Sequence, residues 1–233
     1  MSTLLLRLAG PLQAWGDDSR FARRATRNAP SKSGVLGMIA AAQGRRRADE
    51  IEDLLALRFG VRIDQPGVML RDFQTAIRWS TGDAMPLSTR YYLSDAVFVA
   101  GLEADRSLLE AIDDALARPR FPLYLGRRSC PVTGRLRLGI VDDDLDRAIA
   151  TTAWQASDWV RQRGPIPRLE VYVDAGPTAP TSGMVDVETR RDVPLSFNPT
   201  RREYGWRNVR HYWVDQADGS SDVPDFFGTV KGS

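Results

Sequence analysis

Arg90-Tyr91-Tyr92-Leu93-Ser94-Asp95-Ala96-Val97-Phe98-Val99-Ala100 is the clearest strand in the chain. Aromatic and β-branched side chains crowd a run too short for a helix. What flanks it decides the fold. Behind it, Ser107 and Glu110 have the spacing of a capping box, in which a hydroxyl and a carboxylate satisfy free N–H groups at a helix start. Leu108, Leu109, Ile112, Ala115 and Leu116 follow at helical spacing, and Pro119 ends the helix. Residues 121–125 read as the next strand. Ahead of it, residues 65–89 carry turn signals at Pro66-Gly67, Thr81-Gly82-Asp83 and Pro86, interleaved with Arg71, Phe73, Arg78 and Trp79. They predict an extended hairpin or projecting arm, about 68–89. Residues 61–64 alternate as a short strand. Two helices precede it. One runs from Pro30-Ser31 to Gly44, with Val35, Ile39 and Ala42 on one face; the other starts at Asp49, turns Ile51, Leu54 and Leu55 inward, and stops at Gly60. Residues 3–9 read as a buried strand ended by Gly10-Pro11.

The order is β-α-β-β-α-β with the arm inserted before the third strand. It predicts an α+β protein whose residues 1–133 form a ferredoxin-like (RRM-like) domain. Strands near 135–141, 168–174, 184–190 and 206–214 surround an acidic, partly helical stretch. They predict a smaller β-rich C-terminal part over 134–214, followed by a loose polar tail from 215 to 233. With 233 residues, 42% of them hydrophobic, the chain has material for a substantial core. No apolar run reaches the roughly 18 residues of a membrane span. The N-terminal run is broken at Arg7 and lacks the layout of a secretory signal. The expectation is a soluble cytoplasmic protein with no membrane partner.

Composition excludes several chemistries. One cysteine (Cys130) cannot form an internal disulfide framework, and with one histidine (His211) it cannot build the common Cys/His zinc site. No cofactor or metal is expected. Of the 32 basic residues, only Lys32 and Lys231 are lysine, so 30 are arginine. The net charge of +2 hides a pattern. Residues 1–47 sum to +7, 120–137 to +5 and 190–210 to +4, while 141–158 sum to −4. Basic stretches folded together make the footprint of a polyanion site.

Four segments carry candidate chemistry. In Gly10-Pro11-Leu12-Gln13-Ala14-Trp15-Gly16, Gln13 offers a hydrogen-bonding edge and Trp15 a stacking face. Arg20, Arg23, Arg24 and Arg27 follow in the same loop. Arginine beside aromatic groups suits single-stranded nucleic acid, whose bases stack and whose phosphates pair. In Pro30-Ser31-Lys32-Ser33-Gly34, a helix start carries Lys32 and Ser33 toward an anion. The order of a nucleotide-hydrolysing P-loop is absent. In Tyr124-Leu125-Gly126-Arg127-Arg128-Ser129-Cys130-Pro131, two arginines leave a tight turn, and Cys130 reads as a small packed residue. In Arg201 to Trp213, aromatic and basic residues alternate as in a strand, and functional and core readings both fit.

Together these strings resemble the CasD family, a subunit of the type I-E CRISPR Cascade complex. The similarity rests on Leu6 to Gly16, Ser31 to Gly37, Arg90 to Ala96 and Pro119 to Pro131, with a weaker echo at Arg191-Asp192-Val193-Pro194 and Arg201 to Val214. The resemblance implies a ferredoxin-like domain whose projecting hairpin is a thumb. It implies a non-catalytic role: holding the 5′ handle of the CRISPR RNA and capping the complex backbone in antiviral defence. Implied partners are CRISPR RNA, the backbone subunit CasC, the large subunit CasA, and target DNA through the assembled complex. The expected RNA-binding residues are Gln13, Trp15, Arg20, Arg23, Arg24, Arg27, Lys32, Ser33, Arg78, Arg90, Arg127 and Arg128. Two rival readings stand beside this one. One is a metal-independent endoribonuclease of repeat RNA using His211 with Tyr204, Tyr212 or Lys32. The other is a stand-alone single-stranded RNA-binding module.

Overall fold

The computed structural model describes residues 1–16, 23–165, 168–176, 186–198 and 203–215. The first strand, β1 (Ser2–Ala9), is followed by the short β2 (Leu12–Gln13), β3 (Trp15–Gly16), β4 (Arg23–Arg24) and β5 (Thr26–Arg27). Next come α1 (Lys32–Ala42), α2 (Glu52–Leu55), β6 (Arg58–Gln65), β7 (Val68–Gln74), β8 (Ser88–Ser94), β9 (Val97–Ala104) and α3 (Arg106–Ala117). The chain continues through β10 (Arg137–Val141), α4 (Leu145–Thr151), α5 (Asp158–Arg161), β11 (Leu169–Asp174), β12 (Asp186–Ser196) and β13 (Glu203–Val214).

A seven-stranded antiparallel sheet in the order β10-β1-β9-β6-β11-β13-β12 forms the body. The alternation of β1 builds both of its layers. Leu4, Leu6 and Leu8 meet Val35, Leu36 and Ile39 of α1 and Leu109, Ile112 and Leu116 of α3. Leu5 turns the other way, to Leu145, Ala148 and Ile149 of α4. The seat for α4 is made by two glycines paired across strands, Gly60 and Gly101. A Cβ on Gly60 would lie 2.7 Å from Ile149, and one on Gly101 2.6 Å from Leu145. Arg62, fully buried, closes the far end of α4. It donates to the carbonyls of Ile149 at 2.6 Å and Thr152 at 2.7 Å and pairs with Asp64 at 2.7 Å. Cations at a helix C-terminus satisfy its free carbonyls and oppose its dipole.

Several expectations need correction. The helix expected between Pro30 and Gly44 is α1, with Ser31 capping the N–H of Gly34 at 3.2 Å. Ser107 and Glu110 form no capping box. The N-cap is Asp105, two residues earlier, the helix starts at Arg106, and Glu110 instead pairs with Arg106 at 2.9 Å. The run 90–100 is two strands, because Asp95 takes φ 57° and turns the chain from one sheet into another. Gly60 lies inside β6 and does not end the short helix. Residues 121–125 are irregular, touching strand geometry only at the Tyr124–Pro131 bridge. The strand beside β1 is β10, and β11, β13 and β12 extend the sheet beyond β6, so the sheet continues across residue 133.

A smaller sheet stands off the end of β1. Strand β8 pairs β7 along its length, β2 at Leu93 and Ser94, and β4 in parallel at Thr89 and Arg90. The β7–β8 hairpin continues outward to a bridge between Ile77 and Ala84. Among the described residues, no helix is long and apolar enough to cross a membrane.

Candidate nucleic-acid interface

At the root of the hairpin, three loops lock together. The chain leaves β1 at Gly10, where a Cβ would sit 2.7 Å from the Pro131 carbonyl oxygen. Gln13 then turns inward. Its Nε2 donates to Ala96 O at 2.7 Å and Leu8 O at 3.2 Å, and its Oε1 accepts the Trp15 indole N–H at 3.1 Å. The Trp15 ring is fully buried against α1, at the place Gly34 leaves open; a Cβ there would be 2.8 Å from the ring. The N–H of Ala14 donates to Leu125 O at 3.1 Å. This brings in the loop 124–131, whose Gly126 takes φ +84° with the Ala14 carbonyl in the space a Cβ would fill.

Arg127 ties down the third loop, around Arg24 and Ala25. Its Nη1 donates to Tyr91 O at 2.9 Å, its Nη2 to Arg24 O at 2.9 Å, and its guanidinium lies 4.7 Å over the Tyr92 ring. Around this knot stand other arginines. Arg24 and Arg90 are cross-strand neighbours in the parallel β4–β8 pair. Arg24 and Arg128 are exposed, while Arg90 is half-buried. The Nε of Arg90 is buried with no hydrogen-bond partner. Farther out, the hairpin carries Arg71 at 4.6 Å over Phe73, then exposed Arg78 and Trp79, the latter 99% accessible.

The start of α1 is a closed charge network. The N–H of Lys32 donates to Asp192 at 2.9 Å, and its Nζ pairs with Asp174 at 2.9 Å. Arg207 spans both carboxylates, at 2.5 Å from each. Burial works against ionisation of Asp192, yet the Arg207 guanidinium and the Lys32 N–H overcome it and hold the carboxyl below the usual carboxylate range. The same Arg207 stays protonated despite burial, because Asp192 and Asp174 flank it. The anion that a helix start favours is thus a side chain of this protein.

The profile described as CRISPR-associated protein (Cas_Cas5) matches residues 3–210. The chain belongs to the Cas5 family of CRISPR-associated proteins. The curated "CRISPR system Cascade subunit CasD" of Escherichia coli (strain K12) is 36% identical over 159 residues, which is 59% of this Cas5 chain and 70% of that protein. A solved "Crystal structure of Cas protein" aligns with TM-score 0.69 and 38% identity, over 92% of this chain and 95% of that one. A chain of a solved "CRISPR RNA-guided surveillance complex" aligns with TM-score 0.72 and 31% identity, over 92% and 90%. The mixed α/β architecture with mostly antiparallel sheets is the one these Cas5-like structures share.

Against this Cas5 frame the expected RNA-binding residues divide. Arg24, Arg78, Arg90 and Arg128 lie on or near the surface at the hairpin and its root. Arg27 and Ser33 are half-buried, the latter with its hydroxyl 3.3 Å from that of Ser31. Gln13, Trp15 and Lys32 are corrections: each is buried with its polar atoms engaged, so each shapes the loops from inside. Arg127 is mainly a tie between loops. Arg20 and the side chain of Arg23 lie outside the described residues. The groups proposed for ribonuclease chemistry do not converge. His211 stacks on Tyr172, with ring centroids 4.6 Å apart, and its Nε2 lies 2.9 Å from Glu170. Tyr212 donates to Asp146 at 3.0 Å on the opposite sheet face, and Lys32 is held by Asp174. Among the described residues, no three His, Cys, Asp or Glu groups converge on a metal site. Asp174 carries no motif in the sequence, and Asp192 and Arg207 stand there only within longer strings, since 160 residues separate Lys32 from its partner Asp192.

Proposed function

We propose that this chain is a non-catalytic subunit of a type I-E CRISPR RNA-guided surveillance complex, gripping the 5′ handle of the CRISPR RNA and capping the complex backbone. The Cascade subunit and the surveillance-complex chain it resembles support that setting. The observation that carries the reading is the cluster of Arg24, Arg90 and Arg128 around the Arg127 knot, at the base of an exposed hairpin. In this reading β10-β1-β9-β6 with α1 and α3 is the ferredoxin-like core, and the β7–β8 hairpin is its thumb. The surface arginines neutralise phosphates of a kinked RNA end, and the hairpin aromatics hold splayed bases. CasC and CasA are the protein neighbours, and target DNA is met through the assembled complex.

Each single-strand phosphate contact contributes about 0.7 to the slope of log affinity against log salt. Arg24→Ala with Arg128→Ala should therefore lower the slope for a CRISPR repeat RNA by about 1.4, with the melting temperature unchanged. An unchanged slope together with normal RNA retention in the assembled complex overturns the placement. Repeat RNA cut by the purified protein, and left uncut by its His211→Ala variant, overturns the non-catalytic reading.

A further inference from the structure

The alternating aromatic and basic segment near the C-terminus has no part in the handle site. It folds as β13, paired with β12 at the edge of the large sheet. The register sets Arg191 opposite Trp206, Thr189 opposite Asn208 and Val187 opposite Arg210. Strand alternation then sorts the chemistry. Asp186, Glu188 and Arg190 share one face with His211, Val209 and Arg207. Asp192 is drawn inward to Lys32 and Arg207. The opposite face carries Val187, Thr189, Arg191, Trp206 and Asn208, and neither strand adds a carboxylate to it. Asp146 of α4 reaches only its inner end, at Arg210 and Tyr212.

The centre of this face is an indole 67% exposed, with the Arg191 guanidinium 5.8 Å from its ring centroid. Arg191 spends one donor on Tyr204 O, at 3.3 Å, out of the five an arginine has. The Thr189 hydroxyl donates to the exposed Asn208 amide oxygen at 3.3 Å. A protein-docking patch concentrates apolar side chains at its centre, whereas here Trp206 and Val187 stand among polar and cationic groups. An exposed ring with a guanidinium near it, amide and hydroxyl groups and, among the described residues, no facing carboxylate fit a single nucleic-acid strand.

We propose that the β12–β13 face centred on Trp206 and Arg191 is a second platform for single-stranded nucleic acid, separate from the handle site. A base stacks on the free indole, Arg191 neutralises the neighbouring phosphate, and Asn208 with Thr189 meets the base edge. The test uses the full chain carrying Arg24→Ala and Arg128→Ala, which removes the two exposed arginines from the root of the proposed handle site. Fluorescence anisotropy follows labelled oligo(U) and oligo(dT). Binding of at least one strand should persist in this background. It should weaken about tenfold with Trp206→Leu or Arg191→Ala and survive in Trp206→Phe. The preferred oligonucleotide identifies RNA or DNA as the source of the strand. Absence of binding by both, or equal binding by the Trp206→Leu protein, overturns the proposal. Failure of the handle reading is seen separately, in the chain that keeps Arg24 and Arg128 but carries Trp206→Leu.

Discussion

At Gly126 a backbone angle and a neighbour coincide. The residue has φ +84°, and the Ala14 carbonyl oxygen lies 1.7 Å from where a Cβ would be. The left-handed conformation alone costs a non-glycine residue about 1–2 kcal/mol, and relieving the clash means separating the 10–16 and 124–131 loops. Gly126→Ala should lower the thermal midpoint and weaken RNA binding together; a stable variant with full binding would show that the loops do not depend on this contact. The adjacent arginines should behave differently. Arg127→Ala removes three carbonyl contacts and a ring contact, so it should destabilise the loops, measurable as faster proteolysis there. Arg128→Ala should leave proteolysis unchanged and reduce only RNA affinity. At this scale the sequence disclosed chemistry but not direction. Gln13, Trp15 and Lys32 have side chains suited to RNA, yet burial turns the same capacities onto Ala96, Gln13 and Asp174.

At the scale of elements, the strongly patterned pieces were legible. The β1 strand and the buried face of α1 follow directly from apolar spacing. The errors lie where a tertiary partner decides. Ser94-Asp95 is a turn-type pair, aspartate tolerating a left-handed backbone, but the apolar runs on both sides of it read as one strand. Only the pairing of β8 with β7 and of β9 with β1 separates them. Likewise Phe121 to Leu125 look like a strand, but the position beside β1 is taken by β10. The turn signals around 65–89 did locate a hairpin. Its tip is decoupled from the body, since Trp79 is almost wholly exposed. Trp79→Ala should therefore keep stability within about 0.5 kcal/mol, as for other exposed substitutions. If the ring stacks on a base, RNA retention in the assembled complex should fall about tenfold. Unchanged retention would leave the tip no role in holding RNA.

For the whole molecule, charge distribution explains how a +2 chain sustains an arginine-rich surface. Some of its arginine is paired internally, with carboxylates. Arg58 and Arg210 meet at Asp146, Arg62 meets Asp64, and Arg207 joins Asp174 to Asp192. Segment sums could not separate these from the free arginines at the hairpin root, because pairing depends on contacts far apart in sequence. The internal pairs also make stability depend on pH. Asp192 has its folded pKa held below the unfolded carboxylate value of about 3.9. A depressed acid contributes stability in full above the unfolded pKa and loses it as pH falls through the folded one. Asp53 and Asp142 shift the same way through Arg45 and through Ser2 and Arg106, but they lie at the surface, where solvent screening leaves little effect. The thermal midpoint should thus hold steady near neutral pH and decline in strong acid, with Asp192 a principal source of the decline. Asp192→Asn should lower the midpoint at pH 7, because Arg207 is left with Asp174 alone and the start of α1 loses its carboxylate, and should flatten the acid slope. A variant with the wild-type slope would move the acid sensitivity to another carboxylate and leave the α1 network without its inferred part in it.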